Sequence, residues 1–173
     1  MNDEKLPIPS WDEWFMRMAY HVATKSKDKS SRIGSVIVKD NQVVKIGYNG
    51  FPRDVNDNVE ERQNRPLKYS YVAHSEANAI FFAARDGAKT EGCFLYTNGV
   101  PCVECAKAII QSGISKVIYH SEYDVKWNEF AREKWSGHNE ITTTMFNESN
   151  VELIPYEGIL GVKALIAGNI IEL

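Results

Sequence analysis

The sequence predicts an α/β domain that combines an antiparallel hairpin with parallel strands and flanking helices. Three observations carry that expectation. Two β-branched runs, Ile33–Val38 and Gln42–Ile46, flank Lys39-Asp40-Asn41 and read as a hairpin with an Asp-Asn turn. Between about 90 and 120 the pattern runs strand, helix, strand, which calls for a parallel β-α-β unit with a right-handed crossover. Residues 74–86 carry Ala77, Ala79, Ile80, Phe81, Ala83 and Ala84 before Gly87, which marks a helix with a glycine stop.

The other elements follow in order. Residues 1–9 are polar, contain Pro7 and Pro9, and read as an arm. Ser10 and Glu13 have capping-box spacing, and Trp14, Phe15, Met18 and Val22 share a face, so a helix opens at Ser10 and should end near Lys25–Asp28. Tyr48–Pro52 forms a turn. Residues 53–71, charged and interrupted by Pro66, form a long surface loop of the kind that is functional or disordered. Cys93–Thr97 is a short strand, Cys102–Gln111 a helix closed by Gly113, and Lys116–His120 a strand. Farther on, Lys126–Trp135 reads as a helix, the polar stretch 136–149 as a loop, and Val151–Pro155 as an edge strand. Helix and strand compete over 158–173. The whole of 1–173 is expected to be one domain, with 136–173 as a C-terminal extension.

Composition narrows the function classes. The chain has 173 residues, 43% hydrophobic and 25% charged, with a net charge of −3, which fits one soluble globular domain. No run of about 18 apolar residues is present, so no membrane span is expected. Met1–Lys5 lacks a signal peptide's apolar region, and the expected location is the cytoplasm, of a cell or of a virus-infected host. An acidic chain lacks the broad basic surface that a polynucleotide partner needs. Three cysteines do not make a disulfide framework, which leaves metal binding or catalysis as their use.

The chemistry concentrates in His74-Ser75-Glu76 and Pro101-Cys102-Val103-Glu104-Cys105, with a weaker signal in Gly47-Tyr48-Asn49-Gly50. Cys102 and Cys105 stand three apart where a helix starts, so both sulfurs face the same way, and a helix N-terminus favours thiolates. With the His74 imidazole they make a three-ligand zinc site. Such a site keeps a position open for water and brings its pKa to about 7. Glu76, two residues after His74, reaches the same centre only if its helix points at the metal end-on. The geometry implied is two helix N-termini converging on one zinc, with Glu76 a proton carrier rather than a ligand. The bland alternative is a structural zinc with Cys93 as a fourth ligand, although Cys93 reads better as a buried core thiol. His21, His120 and His138 read as ordinary solvated or hydrogen-bonded histidines.

H-x-E followed by P-C-x-x-C is the signature of zinc-dependent nucleobase deaminases. At these residues the chain resembles the cytidine and deoxycytidylate deaminase family, most closely its deoxycytidylate branch. The resemblance spans roughly 10–135 and rests also on Ser10–Met16, Lys25–Gly34, Gly47-Tyr48-Asn49-Gly50-Phe51-Pro52 and Lys68–His74. It implies a cytidine-deaminase-like three-layer α/β/α sandwich with a mixed five-stranded sheet. It implies zinc on His74, Cys102 and Cys105, and Glu76 as the proton shuttle. Asn49 would bond the sugar 3′-hydroxyl, the Ser75 backbone would shape the base pocket where alanine is commoner, and Tyr123 would lie near base and phosphate. The expected reaction is hydrolysis of dCMP to dUMP and ammonia, which supplies thymidylate synthesis. The expected assembly is a homo-oligomer, a hexamer by preference, with dCTP and dTTP plus Mg²⁺ as allosteric effectors. Residues 50–72 hold no Cys or His, so the second, structural zinc that some members carry there has no ligands.

A 5′-phosphate needs cations or hydroxyls. Lys25, Lys27, Lys29 and Arg32 face Asp28 alone over 25–32, with Ser30 and Ser31 beside them, and make a candidate cradle with Lys27 and Ser31 at its centre. A solvated turn explains the same charges equally well. Arg85, eleven residues after His74, is a candidate for a subunit interface or a neighbouring subunit's phosphate, against the ordinary role of a cation at a helix C-terminus. Three rival functions remain: a cytidine or deoxycytidine deaminase, which needs no cradle; a purine or tRNA-adenosine deaminase, which for tRNA needs a basic, aromatic surface; and a non-catalytic zinc domain, which does not need Glu76.

Overall fold

A computed structural model of the protein describes residues 7–130 and 138–173. The elements in chain order are α1 (Trp11–Ala23), β1 (Gly34–Lys39), β2 (Gln42–Tyr48), the single turns α2 (Glu60–Gln63) and α3 (Lys68–Tyr71), α4 (Ser75–Asp86), β3 (Phe94–Thr97), α5 (Val103–Gln111), β4 (Lys116–His120), α6 (Ser121–Phe130), α7 (His138–Glu148), β5 (Glu152–Tyr156), and a hairpin of β6 (Lys163–Ile166) and β7 (Asn169–Glu172). Five strands form one sheet in the order β2-β1-β3-β4-β5. β1 runs antiparallel to both β2 and β3, whereas β3, β4 and β5 are parallel, so the sheet is mixed.

Alternation along the strands sends successive side chains to opposite faces and builds two cores. Val36, Tyr96 and Ile118 face Phe15, Met16 and Ala19 of α1, Tyr123 of α6, and Leu160 and Ile166 of the C-terminal segment. Ile37, Leu95 and Val117 face Ala79 of α4, Ala106 and Ile109 of α5, and Phe146 of α7. Helices therefore cover both faces, and the three-layer α/β/α expectation holds.

Local chemistry explains most boundaries. The Ser10 hydroxyl caps α1 by accepting from the Glu13 N–H at 3.1 Å. The β1–β2 turn places Asp40 and Asn41 at φ 50° and 57°, the left-handed pair that a two-residue hairpin requires. Gly87 at φ 69° closes α4. Helix α1 ends at Ala23, slightly before the expected Lys25–Asp28, where the Thr24, Lys25 and Ser26 N–H groups bond three residues back and tighten the chain into a turn.

Three expectations need correction. Residues 138–148 form helix α7 instead of a loop, because Thr142 and Phe146 are fully buried one turn apart and pack on the α5 side. Its Thr142 hydroxyl donates to the Pro101 carbonyl at 3.0 Å, so a residue that reads as polar serves as an inward one. Helix α6 begins at Ser121, earlier than the expected Lys126, and the remainder of the expected Lys126–Trp135 helix beyond residue 130 lies outside the described residues. The undecided 158–173 stretch is the β6–β7 hairpin. The edge strand near Val151–Pro155 is β5, and Cys93 is a buried core thiol as read.

Candidate active site

Two helix N-termini meet at one end of the parallel strands. His74 is the N-cap residue of α4 and Cys102 that of α5, and neither side chain caps its own helix. Both are turned aside toward Cys105 in the first turn of α5. His74 Nδ1 lies 3.3 Å from Cys102 Sγ and 3.5 Å from Cys105 Sγ, and the three donor atoms fall within 4.8 Å of one another. Tetrahedral zinc with bonds of about 2.3 Å to sulfur and about 2.0 Å to nitrogen separates such ligands by about 3.5 Å, so the donor set fits zinc in type and spacing. Gly47 on β2 permits the approach of α4: a Cβ there would stand 2.3 Å from the Ser75 carbonyl oxygen and 2.4 Å from the Ala79 nitrogen.

Electrostatics favour a thiolate on Cys102, whereas the Cys105 thiol is pushed well above its ordinary value by its hydrogen bond with Cys102 and by burial. The Cys102 thiol is drawn down to about 4, chiefly by its hydrogen bond with Cys105 and then by His74, while burial opposes. His74 is pushed up to about 9, first by its bond to Cys102. Glu76 is buried, and that burial raises it above the usual carboxylate range, with His74 pulling the other way. A carboxyl so placed is suited to take a proton and to return it.

His74 and Cys102 open, together with Glu76, into a cavity of about 370 Å³, with Cys105 buried beside them. His74, Glu76 and Cys102 form its floor, and its walls come from segments far apart in sequence: Ser30 and Ser31, Arg65 and Lys68, Tyr123 and Trp127, and Asn139.

The model of the cytidine and deoxycytidylate deaminase zinc-binding region matches residues 9–121. The chain belongs to the cytidine and deoxycytidylate deaminase family. Among relatives, an uncharacterized deaminase from the luxG 3′ region of Aliivibrio fischeri is 38% identical over 146 residues, covering 84% of this chain and 93% of that one. Deoxycytidylate deaminase of Mus musculus is 43% identical over 118 residues, which cover 65% of each chain. A solved structure of dCMP deaminase from cyanophage S-TIM5, in complex with dCMP and dUMP, shares the fold at a TM-score of 0.64 and 23% identity, covering 87% of this chain and all of that one.

Within this deaminase fold the expected residues separate into two groups. His74, Glu76, Cys102, Asn49, Ser31 and Tyr123 line the cavity together. Asn49 is buried, its Oδ1 accepting from the Ile33 N–H at 2.9 Å and its Nδ2 donating to the Ser31 carbonyl at 2.9 Å. Ser31 accepts through its hydroxyl from the Ala167 N–H at 3.0 Å, which ties the loop to the β6–β7 turn. Tyr123 stacks on Trp127 with ring centroids 6.2 Å apart, and among the described residues its buried hydroxyl has no hydrogen-bond partner.

Lys27, Ser75, Arg85 and the candidate ligand Cys105 do not line the cavity. Lys27 is exposed and paired with Asp57 at 2.8 Å, because the 53–71 loop folds back over it, and Lys29 is likewise taken by Glu60 at 2.9 Å. Ser75 is fully buried behind Glu76. Arg85 is exposed near the far end of α4 from His74.

The cations that do reach the cavity, Arg65 and Lys68, come from the loop that the sequence left unassigned. Lys68 is buried and bonded to Asp28 at 2.6 Å. Asp28, the lone carboxylate among the 25–32 cations, is an anchor: its Oδ1 also accepts from the Ser30 and Ser31 N–H groups at 2.7 and 2.9 Å. Arg65 donates to the Ser30 hydroxyl at 2.8 Å and has no carboxylate partner among the described residues. The signal that could have found them was the cluster Arg62, Arg65 and Lys68 just upstream of His74. Asp124 also lines the cavity, raised by burial and held by the Val100 N–H and by the Asn128 and Asn139 side chains.

Proposed function

We propose that this chain hydrolyses dCMP to dUMP and ammonia. The observation that carries the reading is that His74 and Cys102, with Glu76 beside them, open into a cavity that also holds Arg65, which has no carboxylate partner among the described residues. The relatives named for deoxycytidylate deamination point to the same substrate.

His74 through Nδ1, and Cys102 and Cys105 through sulfur, would hold one zinc ion. When bound, zinc lowers the pKa of a water to about 7 and so supplies the nucleophile. Glu76 would carry one proton of the attacking water to the ring nitrogen N3 and the other to the departing amine. The oxygen of water replaces the amino group at C4 of the base, and ammonia leaves. The Tyr123 and Trp127 rings form an apolar wall against the base, with the Tyr123 hydroxyl left for a polar atom of the substrate. Asn49 Oδ1 has a second lone pair beyond the Ile33 N–H and can accept from the sugar 3′-hydroxyl. Arg65, with Ser30 and Ser31 beside it, takes the 5′-phosphate, a charge-assisted contact that Lys27 cannot make from its place at Asp57.

The same reading proposes a homohexamer in the cytoplasm, regulated by dCTP and dTTP with Mg²⁺, with Arg85 exposed for an interface; family membership is its support. The test is ammonia release from dCMP, deoxycytidine and CMP by zinc-loaded protein, with and without dCTP and Mg²⁺, beside the mass in solution. Turnover of dCMP far above deoxycytidine supports the reading. Preference for deoxycytidine makes the chain a nucleoside deaminase, and no turnover of any pyrimidine with zinc fully bound sinks the pyrimidine assignment.

A further inference from the structure

A row of three buried hydroxyls runs from the sheet to Glu76. Ser35 on β1 and Thr97 on β3 are register partners, and their side-chain oxygens lie 3.1 Å apart. Ser35 Oγ lies 2.7 Å from Ser75 Oγ, and Ser75 Oγ donates to Glu76 Oε2 at 2.9 Å. All three residues are completely buried. β1 is otherwise an apolar strand, buried over its first five residues, and Ser35 sits where an alanine or valine would pack without any polar group to satisfy. Burying hydroxyls is unfavourable unless each finds a partner, so three in a row ending on one carboxylate call for a use.

We infer that Ser75, backed by Ser35, is a positioning residue for Glu76, fixing the carboxylate that the proposed reaction uses; the inference therefore rests on that reading. Each hydroxyl has one proton. Ser75 directs its own at Glu76 Oε2 and Ser35 its own at Thr97 Oγ1, and Ser35 Oγ lies against Ser75 Oγ at 2.7 Å. Thr97 holds the far end of the row. With one oxygen of Glu76 held by Ser75, the carboxylate keeps a single orientation at the cavity floor, leaving the other oxygen for proton transfer. β2 passes close against the backbone of Ser75 at Gly47.

The test compares wild type with Ser75→Ala, Ser75→Cys and Ser35→Ala, all loaded with zinc, measuring kcat and KM for dCMP, bound zinc, thermal midpoint, and the Glu76 side chain in crystals. In Ser75→Ala and Ser75→Cys, kcat falls about tenfold, as expected for loss of a hydrogen bond to a charged group, with KM within about twofold and zinc unchanged. Ser35→Ala gives a smaller fall in the same direction, and the Glu76 carboxylate takes a second rotamer in the Ser75→Ala crystal. Cysteine keeps the volume of serine but is a weak donor, so its failure to restore kcat separates hydrogen bonding from packing. Unchanged kcat in an active protein overturns the inference, as does a loss of zinc or a rise in KM that accounts for the whole effect. Wild type inactive on dCMP overturns the proposed function instead.

Discussion

The floor and the walls of the cavity are built in opposite ways. The floor comes from two adjacent helix starts, and the four groups proposed for the chemistry, His74, Glu76, Cys102 and Cys105, belong to one helix–strand–helix passage. The walls join Asp28–Ser31, Arg65–Lys68, Tyr123–Asn128, Asn139 and Ala167, brought together only by tertiary contacts. Chemistry that must act on one atom needs ligands at fixed short spacing, and a helix start supplies that locally. Recognition of a whole small molecule needs contacts from several sides, and those come from wherever the chain passes.

The largest expected effect breaks the floor alone. Glu76→Gln should lower kcat by about 10²–10⁴-fold, the usual worth of a general acid–base group, with zinc content and melting temperature unchanged, as metal analysis and calorimetry would show. Next comes a blow to the wall that leaves the floor's residues in place. Lys68→Met strips the cation from buried Asp28 and should cost about 3–5 kcal/mol of stability, a drop of about 10 °C in thermal melts. Arg65→Ala sharpens the contrast without unfolding anything: kcat/KM for dCMP should fall about tenfold while that for deoxycytidine stays level, and Lys27→Ala should leave both within about twofold.

The smallest effect lies behind the wall. His120 is buried, its Nε2 3.0 Å from the Gly158 carbonyl and its Nδ1 2.7 Å from the Tyr20 hydroxyl, which fits a neutral ring giving to the first and taking from the second. Burial lowers its pKa, although the Gly158 carbonyl and Glu122 pull upward. A lowered folded value means that the unfolded chain binds the proton more readily. The stability held by neutral His120 is therefore complete above about pH 6.5 and is lost as pH falls below that value. Urea melts of wild type should weaken more between pH 7 and 5.5 than those of His120→Gln; equal slopes would remove His120 from the account.

Legibility followed the same division. Ligand spacing, helix caps and the hairpin turn are local, so His74, Glu76, Cys102, Cys105, Ser10 and Asp40-Asn41 could be read in place. The wall could not. Lys27 and Lys29 looked like free cations because nothing in sequence shows that Asp57 and Glu60 fold back onto them. Asp28 looked like a minor opposing charge, yet burial and four donors make it the pivot of the loop. Helix α7 was missed because three consecutive threonines have weak helical preference, and the buried stripe of Thr142 and Phe146 is too narrow to stand out.

The hook between the C-terminal hairpin and the cavity loop sets an order of events. The turn at Ala167-Gly168 grips that loop through two backbone N–H groups, one to the Ser31 hydroxyl and one to the Ser30 carbonyl. During synthesis, a chain that has emerged only as far as Cys105 already carries every ligand side chain and Glu76. It lacks Tyr123 and Trp127, the proposed wall against the base, and the Ala167-Gly168 turn that grips the loop of Ser30 and Ser31. The segment made last therefore closes the cavity: it adds the aromatic wall and pins the loop that the earlier part of the chain has already supplied.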